Sequence, residues 1–343
     1  MRKFSFVLAV VLVASFVLGA CAQATPAATT QPPATTEAPA VTTEAPATPV
    51  TAETPTTEPV SLNPYIGSNQ LDGNGVPPTF FDDVHIRRGF AYAFDVSVVI
   101  DEVYMGEAVV SKVLPLVGMP GFDENAPYYA FDLDKSAEEF MLADVDKDGI
   151  PAGEETDGTD VWNMGFRLQM LYNTGNTTRQ IYAEILQANL AQVNEKFVIE
   201  VLGLPWPAYL TAQRANRIPI MTAGWLEDIH DPHNWYQPYT TGTYGGRQNL
   251  PADIKDQFRV LLNEGVAEVD PAARDEVYKR MNQLYYDLAI GFPVALPTSH
   301  AYEQKWVEGR IMNPIYSNVY YRTISKTADS KDPTTLTNAE IGD

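Results

Sequence analysis

Twelve residues, Gly224 to Trp235, gather the side chains best suited to holding a ligand: three acids (Glu227, Asp228, Asp231), two histidines (His230, His233) and two indoles (Trp225, Trp235). An indole offers a large rigid face at small entropic cost, and a carboxylate held out of bulk water grips an ammonium or a hydroxyl. A loop whose indoles fill the core and whose acids are solvated has the same composition, so residue types alone leave both readings open. The same stretch admits a metal-dependent hydrolase, with His230, Asp231 and His233 beside Asp228. A spacing of three with Pro232 between the histidines is short for a helix-face ligand pair, which favours turn histidines.

A second constellation is Asp144-Val145-Asp146-Lys147-Asp148-Gly149-Ile150, with Glu155 five residues further on. Acids at loop positions 1, 3 and 5, glycine at 6 and glutamate at 12 form the pattern of a calcium loop. Asp144, Asp146 and Asp148 supply oxygens, Ile150 supplies a carbonyl, and Glu155 closes the shell. The expectation is a structural Ca²⁺; the bland alternative is an acidic turn without an ion. Pro151 makes the loop resemble thrombospondin-type calcium loops more than a helix-flanked EF-hand.

The chemistry at the start of the chain is lipid chemistry. Met1-Arg2-Lys3 is basic, Phe4 to Leu18 is almost unbroken apolar sequence, and Leu18-Gly19-Ala20-Cys21 reads as a lipobox. Cys21 is the single cysteine, so its position at the cleavage point marks it as the acylated first residue of the mature protein. No other thiol exists for a disulfide, a nucleophile or a metal site. Residues 1–20 are therefore expected to be a lipoprotein signal peptide. Residues 21–61, rich in Thr, Pro and Ala, are expected to be a disordered tether of at most roughly 120 Å. A glycosylated stalk has the same composition. The anchored protein would sit on the outer face of the cell membrane. The formal charge of −21 argues against nucleic acid and against lying flat on an anionic bilayer.

These groups need elements to position them. Asp82-Asp83 starts a helix running to Asp95, with Phe90 and Phe94 on one face, and a second helix, Val96 to Met105, should stop at Gly106. Asp134 is expected to cap a short helix to Leu142. Phe166–Tyr172 alternates as a strand, Thr177–Val193 carries a helical stripe (Ile181, Ile185, Leu186, Leu190, Val193), and Phe197–Leu202 is a second strand. Trp206 opens a short helix, and Ile218–Ala223 reads as a third, buried strand closed by Gly224. That order is an α/β unit with its ligand groups at strand C-terminal ends. Helices over about 251–266 and 271–289 follow, then a buried strand, Phe292–Pro297.

Taken together, the segments Phe80–Asp95, Tyr129–Ala137, Arg179–Gln187, Trp206, Gly224-Trp225-Leu226-Glu227-Asp228 with Asp231-Pro232, and Asp270–Tyr278 resemble the family 5 extracellular solute-binding proteins of ABC transporters. The resemblance implies an α/β fold, a periplasmic-binding-protein-like (type II) lobe with mixed sheet and flanking helices. It implies a binding protein for peptides and no catalysis. Asp228 would hold a peptide amino terminus, with Trp225 and Trp206 beside it and Arg179 on a ligand carboxylate, and an ABC permease would be the partner. Relatives that bind sugars use indole platforms, so an oligosaccharide is an alternative solute. The solute-binding lobe would be 62–240, residues 241–330 would return to the first lobe, and 331–343 would be a flexible tail. The half of the family's chain that builds most of the first lobe is expected before Asn63. With leader and tether there instead, the second lobe is incomplete and its site faces water. A surface interaction protein that kept the lobe without transport is a third reading.

Overall fold

The computed structural model of the protein describes residues 62–298, 300, 302–311 and 320–327. The signal peptide, Cys21, the tether and the tail 331–343 lie outside the described residues. The first elements grow from capped turns. Asp83 accepts from the His85 N–H (2.6 Å) and opens α1, Val84–Tyr92. Then α2, Val96–Val98, runs into a π-helical turn, Val99–Val103, so the expected helix from Val96 to Met105 is regular only at its start. Gly106 follows at φ +82°, the stop that its residue type suggested. Strand β1, Ala108–Val110, comes next. Asp132, two residues ahead of the expected Asp134, caps α3, Leu133–Leu142. Its carboxylate receives the Lys135 N–H at 3.0 Å, which leaves Asp134 in the first turn, where an acid favours the helix dipole.

Helix α4, Asp160–Met164, delivers the chain to β2, Phe166–Asn173. Next come α5, Thr177–Val193, β3, Phe197–Leu204, and α6, Trp206–Arg214. Strands β2 and β3 pair in parallel with Phe166 opposite Phe197 and Asn173 opposite Leu204, the register that a crossover helix permits. Five phenylalanines (80, 90, 140, 166 and 197) are buried together under this pair and form the centre of the main core.

The third strand is absent. Residues 218–223 run irregularly and half-buried, so the α/β unit closes after two strands among the described residues. Apolar sequence signals burial, while a strand also needs a neighbour to take its backbone bonds, and Pro219 lacks a donor in mid-run. The run lines a cavity instead of a sheet.

Beyond the loop, α7, Pro232–Thr240, α8, Thr243–Arg247, α9, Ala252–Ala267, and α10, Pro271–Leu288, complete the helices. Tyr236, Phe258, Leu262, Tyr278, Met281 and Tyr285 bury a second core between them. Helices α9 and α10 approach closely at Gly265, where a Cβ would stand 2.9 Å from the Tyr278 ring. The strand expected over Phe292–Pro297 is regular only as β4, Ala295–Pro297. It pairs antiparallel with β1, while Phe292 and Val294 pack against the first core. A short antiparallel pair, β5 Val307–Glu308 and β6 Ser325–Lys326, ends the described chain.

Candidate functional site

The stretch from Ile218 to Trp225 forms part of the wall of a cavity of about 1230 Å³, which also meets the C-terminal end of β2–α5 and the helices α7 and α8. Of the four candidate ligand residues, Trp225 and Arg179 line it. Trp206 is not among its walls; it is 49% exposed, stacks on Tyr209 (5.8 Å) and carries the Arg179 guanidinium 6.0 Å from its ring. Asp228 is exposed and does not line the cavity.

One residue that sequence reasoning passed over ties the motif together. The Asn234 side-chain oxygen accepts from the Trp225 indole N–H (3.1 Å) and from the Asp228 backbone N–H (2.9 Å). Asn234 thus fixes both candidate ligand residues from the first turn of α7. Asp231 caps that helix by accepting from the His233 N–H at 2.9 Å. It is in turn gripped by both contacts of Arg274 Nη2, at 3.0 and 2.8 Å. Glu227 accepts from the Trp235 indole N–H at 3.1 Å and meets His230 Nδ1 at 3.0 Å. A hydrogen-bonding residue directly after the Asp-Pro helix start was the available signal for Asn234, because the first turn of a helix points its side chains back at the incoming loop.

The histidines do not build a metal centre. His230 is turned to Glu227, and burial pushes the His233 imidazole below its ordinary range while its Nδ1 stays without a partner. Among the described residues the one cluster able to hold a metal is Asp144, Asp146 and Asp148, whose ligand oxygens lie within 4.8 Å of one another. Gly149, at φ +92°, makes the turn, and its N–H bonds to Asp144 Oδ2 at 3.1 Å. Asp144 Oδ1 and Glu155 Oε1 are shielded from solvent and have no hydrogen-bond partner. Burial, then the charges of Asp148, Asp157 and Asp146, hold the Glu155 carboxyl above its ordinary range.

Replacing Asn234 by Leu should leave the Trp225 indole N–H and the Asp228 amide without their shared acceptor. Loss of two neutral hydrogen bonds in a half-exposed site predicts about 1–2 kcal/mol of stability and a change in tryptophan emission as the Trp225 ring is released. Asn234→Asp keeps the acceptor and should retain the wild-type emission. A spectrum for Asn234→Leu identical to wild type would show that the indole is placed by packing alone.

The two-layer α/β lobe, with an aromatic-walled cavity beside its strand ends, defines a solute-binding protein of the periplasmic type. The solved structure of HbpA2 from Haemophilus parasuis superposes with a TM-score of 0.55 at 17% identity, covering 77% of this chain and 47% of that one. The model of bacterial extracellular solute-binding proteins, family 5 Middle, matches residues 13–247, and the chain belongs to this family. Heme-binding protein A of Haemophilus influenzae is 24% identical over 70% of this chain and 41% of its own length. The oligopeptide-binding protein OppA of Bacillus subtilis is 25% identical over 70% of this chain and 42% of its own. The chain therefore spans about two fifths of the length of the curated relatives it matches. Among the described residues no helix is long and apolar enough to cross a membrane.

Proposed function

We propose that this protein is the solute-binding component of an ABC importer, takes peptides, and is held at the outer face of the membrane through a lipid on Cys21. It binds and delivers without catalysis. The observation that carries the peptide reading is the shared anchoring of Trp225 and Asp228 on Asn234, which sets an indole on the cavity wall and an acid six residues away on one polar clamp. An extended peptide suits such a site. Its ammonium meets a carboxylate, its backbone bonds to main-chain groups, and its side chains occupy the apolar cavity. Thermal-shift screening of the full chain against di- to pentapeptides should raise the melting temperature for a subset. A flat response across the set, with no heat on calorimetric titration, would rule the peptide reading out.

The acidic loop is proposed as a structural calcium site, with Asp144, Asp146, Asp148, the Ile150 carbonyl and Glu155 as ligands. Two shielded carboxylate oxygens without partners support it, because a hard cation satisfies both and removes the repulsion at Glu155. Calcium at a hundredfold excess over Kd should stabilise the protein by about 2.7 kcal/mol. Asp146→Ala should abolish that gain, and a melting temperature indifferent to calcium in the wild type would refute the site.

A further inference from the structure

The charges around the cavity run against those of the protein. The chain carries 23 Lys and Arg against 44 Asp and Glu. The charged residues lining the cavity are Asp82 against Arg87, Arg179, Arg217 and Arg247. Arg87 is committed to fold, since its guanidinium donates to the carbonyls of Phe81, Asp82 and Leu288.

Arg179 and Arg247 are different. Five described arginines (167, 259, 274, 280 and 310) are ion-paired to carboxylates, and none of the five lines the cavity. Arg179 and Arg247 do line it, and the partners given for both are uncharged. Arg179 Nη1 donates to the Asn173 side-chain oxygen (2.9 Å) and lies 5.4 Å from the Tyr209 ring centre. Arg247 Nη1 donates to the Gln213 side-chain oxygen (2.8 Å) and lies 5.6 Å from the Tyr244 ring centre.

Tyr209 and Gln213 stand four apart on α6, the spacing that makes two side chains neighbours on one helix face. Helix α6 therefore draws two guanidinium groups to the same face with no acid between them. Juxtaposing like charges costs free energy that an anion would recover. Two further features favour an anion there. The Tyr209 hydroxyl is buried without a hydrogen-bond partner, and burial pushes its phenol up, so it remains a proton donor. Tyr244 meets Trp225 edge-on at 6.1 Å and donates to the Gly224 carbonyl at 3.0 Å, which joins this face to the aromatic wall.

We infer that Arg179 and Arg247 form an anion-receiving subsite beside Trp225, so that the solute is one with an apolar or aromatic body and a carboxylate or sulfonate-like acidic group. A guanidinium matches such an oxyanion with two parallel N–H donors, and its delocalised charge tolerates the aromatic surroundings. The inference rests on the cavity being the solute site and names the ligand charge that it selects.

The test titrates the full chain with two fluorescent probes of similar size, anionic anilinonaphthalene sulfonate and neutral Nile red. Arg179→Gln and Arg247→Gln should each weaken the anionic probe about tenfold, as loss of a charge-assisted hydrogen bond implies. Both should leave Nile red unchanged. Arg167→Gln, which breaks an ion pair outside the cavity, should move neither. Unaltered affinity for the anionic probe in the double variant, or equal weakening of both probes, would overturn the subsite. Because neither probe is a peptide, failure of the peptide screen and failure of this subsite are separately visible.

Discussion

Phe166→Ala should be among the most damaging single substitutions in the lobe, lowering stability by about 3–5 kcal/mol. The ring is wholly buried and stacks on Phe197 at 4.5 Å, with Phe80 at 5.4 Å, Phe90 at 5.6 Å and Phe140 at 6.0 Å. Truncation removes its transfer energy and leaves a cavity that four other rings, each fixed by its own element, cannot collapse into. The effect should reach the site, because Phe166 begins β2 and the same strand ends at Asn173, which holds Arg179. Phe166→Leu keeps most of the volume and should cost less than half as much. Denaturant titration reads both; a loss under about 1.5 kcal/mol for the alanine variant would mean that the aromatic cluster repacks, contrary to the rigidity argued here.

What the sequence disclosed depended on whether a feature is local. The helix over Thr177–Val193 and the strands beginning at Phe166 and Phe197 are legible because periodicity and caps are written into neighbouring residues. The failure at Ile218–Ala223 is instructive: its apolar run marked burial correctly, but a strand is a relation between two segments and no partner reaches it. Cap placement at Asp132 slipped by two residues, because Asp132 and Asp134 are both good capping types and only backbone geometry separates them. Within the site, Trp225 and Arg179 were identifiable from residue type and motif. Asn234, Gln213 and Arg247 were not, since an amide or a guanidinium acquires its role from a partner that folding brings to it. Arg274 was visible as part of the Asp270–Tyr278 element, yet nothing local revealed that its partner is Asp231, 43 residues away.

That partnership gives the second large effect. Arg274 bridges the two halves of the site's support. Nη2 holds both carboxylate oxygens of Asp231 at 2.8 and 3.0 Å, Nε donates to the Gly265 carbonyl at 2.8 Å, and the guanidinium lies 5.1 Å from the Tyr278 ring centre. Removing it strands a partly shielded carboxylate at the start of α7 and leaves the Gly265 carbonyl of α9 short of a donor. Both groups retain some access to water, so Arg274→Ala should cost about 2–4 kcal/mol, below the limit for a fully buried pair. Arg274→Lys should recover little, since a point charge cannot reproduce the forked contacts to Asp231 and Gly265 together. A purely structural brace would lower stability alone. Here α7 also carries Asn234, so the loss should loosen Trp225 and Asp228 and alter tryptophan emission under conditions where the protein remains folded. A double-mutant cycle with Asp231→Ala isolates the contact: coupling above about 1.5 kcal/mol is expected for a forked charge pair, and strict additivity would show that Arg274 acts through α9 and α10 and not through the site.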